Sequence, residues 1–305
     1  MNWSRNALGL VFLVFLAGCT TPSSTPLPLA ASVEPQQNSN LPAPPPPPPA
    51  PLVVSPIHAD VLPVGSDTYT FSGPPTRTTY PNSWTVFTST GYESAYDERL
   101  KSPVWVAYHL TGSAGTSAPR PSGYPTDTRS TAGVTAADFP PGYDHGHMAP
   151  NEATAEFYGD AAQMETFLMT NMVPQKPGLN RGPWKSLETQ EYTTWEPEFH
   201  DVWVLDGPVY TTADDQPINP SNRYGPKNIP IPVACFKIIM AKDAAGKIKT
   251  LAFIMPQDPG TGHKPKEYLT SIREIERRTG LNFNSTWTTA KQDSVEKAVA
   301  SDVWQ

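Results

Sequence analysis

Short runs of apolar and β-branched residues recur along the chain and predict β-strands. The runs Trp84–Ser89 and Ser102–Thr111 have the composition of strands. The segment Asp201–Tyr210 predicts a pair of strands joined by a turn. Two further strands are predicted at Ile231–Ala241 and Lys249–Pro256.

Helical patterns appear mainly in the second half of the chain. Residues 184–199 have helix composition until Pro197. The segment Pro265–Thr279 predicts a helix that ends at Gly280, a residue suited to terminating helices. Its apolar residues recur at helical spacing: Tyr268, Leu269, Ile272 and Ile275. Residues 288–305 predict a short final helix.

The first 19 residues are typical of a targeting segment. Arg5 precedes an apolar run, Leu8–Ala17, that is too short to span a bilayer. The run ends in Leu16-Ala17-Gly18-Cys19, which resembles a bacterial lipobox and implies cleavage before Cys19 and acylation of its sulfur. Thr20 occupies the position where an inner-membrane retention signal carries Asp, which favours the outer membrane of the cell envelope. The alternative is an ordinary secretory signal with an incidental cysteine.

A proline-rich stretch follows, and it sets the domain organisation. Of the 305 residues 37 are proline, many of them concentrated before residue 57, including the run Pro44–Pro49. Such a composition cannot bury a core and predicts a disordered, partly polyproline II tether over residues 20–56. A ligand for an SH3-type domain is the alternative. The predicted organisation is therefore a signal segment at 1–19, a tether at 20–56 and one globular domain at 57–305.

The stretch from Tyr143 to Glu188 contains the residue types of a hydrolytic site. His147 can act as a general base, because an unperturbed imidazole titrates near neutral pH. Asn180 and Glu188 offer the oxygen ligands that a hard cation such as Mg²⁺ prefers. Asn180 precedes Arg181-Gly182-Pro183, so it is predicted to cap a helix that brings Glu188 round to roughly the same face.

The same stretch resembles the catalytic core of the DNA/RNA non-specific endonucleases, the ββα-metal or His-Me finger nucleases. The matching motifs occur in the family's order: Asp144-His145-Gly146-His147, Thr170-Asn171, Pro174-Gln175, Asn180-Arg181-Gly182-Pro183-Trp184 and Leu187-Glu188. Ile272–Phe283 also resembles the closing helix and strand of the family, which extends the resemblance to roughly residues 75–290. His145 stands where the family usually has arginine.

The resemblance implies a fold and an activity. The fold would be α+β, with an antiparallel central sheet, flanking helices and a ββα-metal motif on one face. The activity would be Mg²⁺-dependent hydrolysis of both DNA and RNA, with Mn²⁺ as a possible substitute metal. The net charge of −7 is mildly unfavourable for a nucleic-acid enzyme, although only a local cationic groove is needed.

The resemblance also implies a role for each site residue. His147 would deprotonate the attacking water, Asn180 would bind the metal directly and Glu188 would hold the metal's waters. Asn171 would support the site geometry, and Asp144 the turn that presents His147. An arginine from the long loop Gly112–Tyr143 would contact the phosphate, with Arg120 the first candidate and Arg129 its rival.

Two functional questions remain open at this level. His145 could replace the family's arginine as a phosphate contact only when protonated, which would give an acidic pH optimum; otherwise it is a turn residue. The alternatives to a nuclease are an envelope lipoprotein that uses the fold as a binding module, and a phosphodiesterase with a different substrate. The retained base and metal-side residues argue against a binding module.

Cys235 has no partner if Cys19 is lipidated, so no disulfide is expected. The oligomeric state is left undetermined.

Overall fold

The strand-forming runs assemble into one six-stranded antiparallel sheet. The computed structural model describes residues 69–77, 84–112, 119–210, 220–260 and 262–305. The strands are β1 (Thr76–Arg77), β2 (Thr85–Ser89), β3 (Tyr92–Asp97), β4 (Ser102–Thr111), β5 (Asp144–His147), β6 (Met172–Gln175), β7 (Asp201–Val209), β8 (Arg223–Tyr224), β9 (Ile229–Pro230), β10 (Ala234–Lys242), β11 (Ile248–Pro256) and β12 (Leu281–Asn282). The central sheet has the order β11-β10-β7-β4-β3-β2, and three two-stranded pairs, β1-β12, β5-β6 and β8-β9, accompany it.

Helices cover both faces of this sheet. They are α1 (Asn151–Tyr158), α2 (Asp160–Glu165), α3 (Pro177–Leu179), α4 (Lys185–Gln190), α5 (Glu196–Phe199), α6 (Ile272–Thr279) and α7 (Thr289–Glu296). Short 3₁₀ turns occupy Ala136–Asp138, Met169–Asn171 and Pro265–Tyr268. Two π-helical turns, Asn180–Trp184 and Glu191–Trp195, join α3, α4 and α5 into one helical segment, residues 177–199. The predicted α+β architecture with an antiparallel central sheet is confirmed.

Alternation along the central strands divides the interior into two cores. Val106, Tyr108 and Val204 face a core that also contains Trp184 and Leu187 of the helical segment. The intervening residues, including Trp105, Ala107 and Leu205, face a second core completed by α6 and β12. The period-2 alternation of strand side chains thus places the helical segment and α6 on opposite faces of the sheet.

The prediction of two strands within Asp201–Tyr210 is wrong. This segment forms the single strand β7, which pairs with β10 on one side and β4 on the other. Gly207-Pro208 suggested a turn, but a Cβ at Gly207 would lie 2.7 Å from the Val104 carbonyl oxygen, so glycine serves close strand approach instead. The β4 ladder stops at Asp206, which leaves Pro208 paired with β10.

The predicted helix at Pro265–Thr279 is split in two. Leu269 leaves the helical path and bridges to Phe253 of β11, between the 3₁₀ turn and α6. Ser271 then caps α6, its hydroxyl accepting a hydrogen bond from the Glu274 backbone N–H at 3.1 Å. The predicted stop is confirmed, since Gly280 has a φ of 67°.

The predicted signal segment at 1–19, the tether at 20–56 and Cys19 lie outside the described residues, so these domain boundaries stay predictions. Within the described part of the chain, the helices are all too short or too polar to cross a bilayer. Cys235 is buried and its thiol is free.

Candidate active site

The two-stranded pair β5–β6 presents His147, and two side chains fix its shape. Gly146 pairs with Val173, and the side chain of Gln175 lies so close that a Cβ at Gly146 would collide with it. Asn171 is fully buried directly before β6. Its Oδ1 accepts from the Ala149 N–H at 2.8 Å, and its Nδ2 donates to the Thr166 and Ala149 carbonyls at 2.8 and 3.0 Å. Asn171 therefore holds the chain that leaves His147, and it positions this histidine without lining the cleft.

His147 is 8% exposed, and its Nε2 has no hydrogen-bond partner among the described residues. A hydrogen bond to the backbone of His145 occupies the other side of the ring. The edge of Phe167 packs against the imidazole at a centroid distance of 4.8 Å. Burial, followed by the charge of Arg120, lowers the pKa of His147 to about 3. The imidazole is therefore neutral, with Nε2 available to accept a proton.

Asn180 and Glu188 come from the helical segment, though not by the predicted capping. The segment begins earlier, with Lys176 as N-cap and Pro177 in the first turn, and Asn180 has helical angles (φ −58°, ψ −46°). The prediction that Asn180 caps the start of the helix leading to Glu188 is therefore wrong; Asn180 instead ends the short helix α3. Gly182 departs from helical geometry (φ −104°, ψ −116°) and kinks the segment between the two residues. Both side chains line one cleft despite this kink.

Asp144 orients the Asn180 amide. Its Oδ2 accepts from Asn180 Nδ2 at 2.9 Å, and Arg181 binds both carboxylate oxygens at 2.9 and 2.7 Å. Because the amide nitrogen is turned toward Asp144, Asn180 Oδ1 is left to accept, and no described residue donates to it. Asp144 lies in β5 and pairs with Gln175, so it belongs to a strand where the sequence suggested a turn.

Glu188 is half-buried, lines the cleft and accepts a hydrogen bond from Trp184 Nε1 at 2.9 Å. Burial raises the pKa of Glu188 to about 8; Lys237 opposes the rise, while Glu191 and Asp206 add to it. In the absence of a cation this carboxyl group holds a proton at neutral pH. A nearby divalent charge favours its ionised form.

The two candidate arginines lie in different environments. Arg120 is exposed at the cleft, with its guanidinium 5.2 Å from the centroid of the Phe167 ring. Arg129 is bound to Asp127, with Nε to Oδ1 at 2.9 Å and Nη2 to Oδ2 at 2.7 Å, and also donates to the Thr88 carbonyl. Arg129 does not line the cleft. The geometry therefore favours Arg120 over Arg129 as a phosphate contact.

His145 reaches the cleft but is held by its surroundings. Its ring stacks between Tyr124 (4.2 Å) and Phe139 (4.8 Å), and its Nε2 donates to the Ala136 carbonyl at 3.1 Å. Burial lowers the pKa of His145. These contacts favour a neutral His145 over the protonated phosphate contact, although His145 lies in strand β5, paired with Pro174, and not in the turn that the sequence suggested.

The cleft has a volume of about 340 Å³ and brings most of the predicted site residues together. Arg120, His145, His147, Asn180 and Glu188 all line it, whereas Asn171 lies behind it. In the described ranges, no three His, Cys, Asp or Glu side chains form a metal-binding group. A cation here would depend on amide and carboxylate oxygens together with water, as Mg²⁺ commonly does.

Sequence reasoning missed several cleft residues. These are Tyr124, Tyr143, Asn151, Glu152, Lys185 and Tyr192. Lys185 and Tyr192 could have been found from helical periodicity, since they follow Arg181 at spacings that share one helix face. Glu152 could not, because only the fold brings α1 beside the helical segment.

Comparison with known proteins places this geometry in a family. The family model for DNA/RNA non-specific endonucleases matches residues 75–290. The chain is 31% identical to mitochondrial nuclease EXOG of Danio rerio over 64% of its own length and 59% of the relative's. It is 29% identical to mitochondrial endonuclease G of Bos taurus (63% and 66%) and 30% identical to a nuclease of Serratia marcescens (58% and 66%). The chain thus spans about six tenths to two thirds of the length of these relatives.

The fold agrees with a solved structure. A chain from the crystal structure of the EndoG/EndoGI complex aligns with a TM-score of 0.58 at 24% identity, covering 67% of this chain and 86% of that chain. This likeness concerns the fold. The family model itself covers the β5–β6 pair, the helical segment and the central sheet, well over half of the chain. The chain belongs to the DNA/RNA non-specific endonuclease family.

Proposed function

We propose that this chain is a divalent-metal-dependent endonuclease that hydrolyses phosphodiester bonds of DNA and RNA without sequence specificity. One observation carries the proposal. A neutral histidine whose Nε2 has no partner among the described residues shares a cleft with an unpaired amide oxygen, a carboxyl group and an exposed arginine. Those four groups supply a base, metal ligands and a phosphate contact.

His147 is the general base. The hydrogen bond to the His145 backbone holds one side of the ring and leaves Nε2 to take a proton from water. Part of the lowering of the pKa of His147 comes from the positive charge of Arg120. A phosphate paired with Arg120 neutralises that charge, so substrate binding raises the basicity of His147 when it is needed.

The residues present fit Mg²⁺, with Mn²⁺ as a substitute. Asn180 Oδ1 is oriented by Asp144 and accepts nothing from the described residues, which suits a direct ligand. Glu188 would hold the metal's water molecules from the same helical segment. When bound, Mg²⁺ supplies positive charge beside the leaving 3′-oxygen, which favours products with 5′-phosphate ends. Arg120 binds the non-bridging oxygens of the phosphate.

A cleavage assay tests this function. The purified protein is incubated with supercoiled plasmid or with RNA, in Mg²⁺ or in EDTA. Both substrates should be degraded in Mg²⁺ alone, and His147→Ala should lower the rate by at least about 10²-fold. His263→Ala is the control, because His263 is exposed, bound to Glu267 and outside the cleft. Activity of His147→Ala at the wild-type level, or cleavage that persists in EDTA, would contradict the mechanism.

We also propose that the nuclease is a lipoprotein of the cell envelope, anchored at Cys19 in the outer membrane. The lipobox-like Leu16-Ala17-Gly18-Cys19, followed by Thr20, supports this. Cys19→Ser should then abolish acylation and release the protein from the membrane fraction. Wild-type protein recovered free in the medium without residues 1–19 would rule the anchor out.

A further inference from the structure

Lys237 lies fully buried in the central sheet beside two carboxylates. Its Nζ is 2.8 Å from Asp206 Oδ2 and 3.2 Å from Glu191 Oε1, and it donates to the Tyr108 hydroxyl at 2.8 Å. The side chains of Lys237, Asp206 and Glu191 have no exposed surface. Lys237, Asp206, Glu191 and Tyr108 are referred to below as the buried charge cluster.

Burial of such a cluster is costly. Burial alone would lower the pKa of Lys237, but the negative charges of Asp206 and Glu191 outweigh it, so the pKa is raised and the ammonium stays charged. Removing these charges from water offsets much of their mutual attraction, and well-packed apolar residues commonly give equal or greater stability. Stability is therefore a weak explanation for the cluster, and a geometric role is the better one.

The cluster holds the helical segment on both sides of Glu188. The Tyr108 hydroxyl donates to Glu191 Oε2 at 2.6 Å, one helical turn after Glu188. Lys237 Nζ lies 4.5 Å from the centroid of the Trp184 ring, one turn before Glu188. Trp184 in turn donates from Nε1 to Glu188 Oε1. Trp184 is the last residue of the first π-helical turn, and Glu191 is the first residue of the second. Both contacts therefore lie where the helical hydrogen-bond pattern changes.

We propose that the buried charge cluster positions the Glu188 carboxyl group, so that Lys237, which does not line the cleft, sets the affinity of the site for Mg²⁺. This inference rests on the metal site of the proposed function. Lys237 acts through Trp184 and Glu191, and its two contacts fix both the depth and the rotation of the helix at Glu188. Groups that orient metal ligands from behind commonly change metal affinity when they are substituted.

Calorimetric titration of the intact, nucleic-acid-free protein with Mg²⁺ alone tests the inference. Lys237→Met should weaken Mg²⁺ binding by about tenfold or more, the scale for losing a group that orients a metal ligand. Arg77→Met is the matched control, because it also removes a buried cation that faces a carboxylate, Asp97 at 3.6 Å. Both variants should unfold at a lower temperature than the wild type, but only Lys237→Met should lose Mg²⁺ affinity.

Tyr108→Phe covers the case in which Lys237→Met does not fold. It removes only the hydroxyl that donates to Glu191 Oε2 and keeps the direct contact of Lys237 with Glu191 Oε1 at 3.2 Å. Its Mg²⁺ affinity should therefore fall between those of the wild type and Lys237→Met. If folded Lys237→Met or Tyr108→Phe binds Mg²⁺ as tightly as wild type, or if Arg77→Met loses affinity equally, the role of Lys237 is overturned while the proposed metal site stands. A wild-type protein that binds no Mg²⁺ overturns the proposed metal site together with it.

Discussion

At the scale of single residues, His145 and His147 show how position decides chemistry within one short strand. Both point toward the cleft, and burial lowers the pKa of each. His145 uses its Nε2 to donate to the Ala136 carbonyl, whereas His147 keeps its Nε2 without a partner in the described part of the chain. The family resemblance assigned His147 a role but left two roles open for His145, because the contacts that decide between them, with Ala136 and the two stacking rings, are formed only when the preceding loop folds over β5.

The state of His145 leads to a pH prediction. Because burial lowers the pKa of His145, acidification from pH 7.5 to pH 6 protonates it less than a free imidazole, and its Nε2 is already bound to the Ala136 carbonyl. The value of kcat/KM at saturating Mg²⁺ should therefore not rise over this interval. Rates that climb toward pH 6 in the wild type, and no longer do so in His145→Arg, would show that a protonated His145 binds phosphate.

At the scale of elements, the helical segment directs the proposed metal ligands Asn180 and Glu188 and two cations into one cleft. Arg181 and Lys185 are one turn apart, with exposed side-chain fractions of 71% and 58%, and both line the cleft. Arg181 is committed to Asp144, whereas Lys185 has only a long contact of 3.8 Å with Glu152. Lys185 is therefore the cation of this face that is freer to meet a phosphate flanking the scissile bond.

Lys185→Gln should weaken the salt dependence of nuclease activity. Each phosphate contact contributes about one unit to the slope of log affinity against log salt concentration. The slope of log KM against log salt concentration should therefore fall by about one in this variant. Stability should hardly change, because an exposed ion pair contributes little. Lys297→Gln is the control: its side chain is 65% exposed, it is paired with Asp293, and it lies outside the cleft. An equal effect in both variants would indicate general surface charge.

Element prediction succeeded where local pattern and tertiary context agreed. Ser102–Thr111 was predicted to the residue as β4, and Gly280 ends α6 as expected. It failed at Gly207-Pro208, whose turn-like composition is overridden by close packing against β4. The buried charge cluster was not predicted, because Asp206 and Lys237 meet only through the pairing of β7 with β10, which local sequence patterns do not show.

At the scale of the whole molecule, the family motifs predicted the cleft better than composition did. A net charge of −7 gives no sign of a nucleic-acid enzyme, and the cations that matter are a few side chains at the cleft. The sequence could not show contacts between distant segments. Glu296 of α7 is an example, because it is fully buried against Asn284 and Arg273. It lies on the opposite face of the sheet from the helical segment.

Glu296 should make global stability depend on pH. Burial raises its pKa to about 7; Glu276 and Asp293 add to the rise, and the hydrogen bond from Asn284 and the charge of Arg273 oppose it. The folded state thus holds this proton more tightly than the unfolded chain, where the pKa is near 4.5. The stabilising contribution of protonated Glu296 is complete at pH values below its pKa in the unfolded chain, and it is lost as the pH rises through about 7.

In the wild type, Asn284 Nδ2 donates a hydrogen bond to Glu296 Oε1 at 2.9 Å. Glu296→Gln removes the titration and keeps an oxygen that can accept this hydrogen bond. The melting temperatures of both proteins are measured by thermal unfolding. Relative to wild type, the melting temperature of the variant should rise between about pH 5 and pH 8, because only the wild type loses stability over this interval. Glu198→Gln, at an exposed position of α5, should show no such trend. A difference between Glu296→Gln and wild type that stays constant with pH would mean that Glu296 is ionised in the folded protein as readily as in the unfolded chain, with Arg273 fully offsetting its burial.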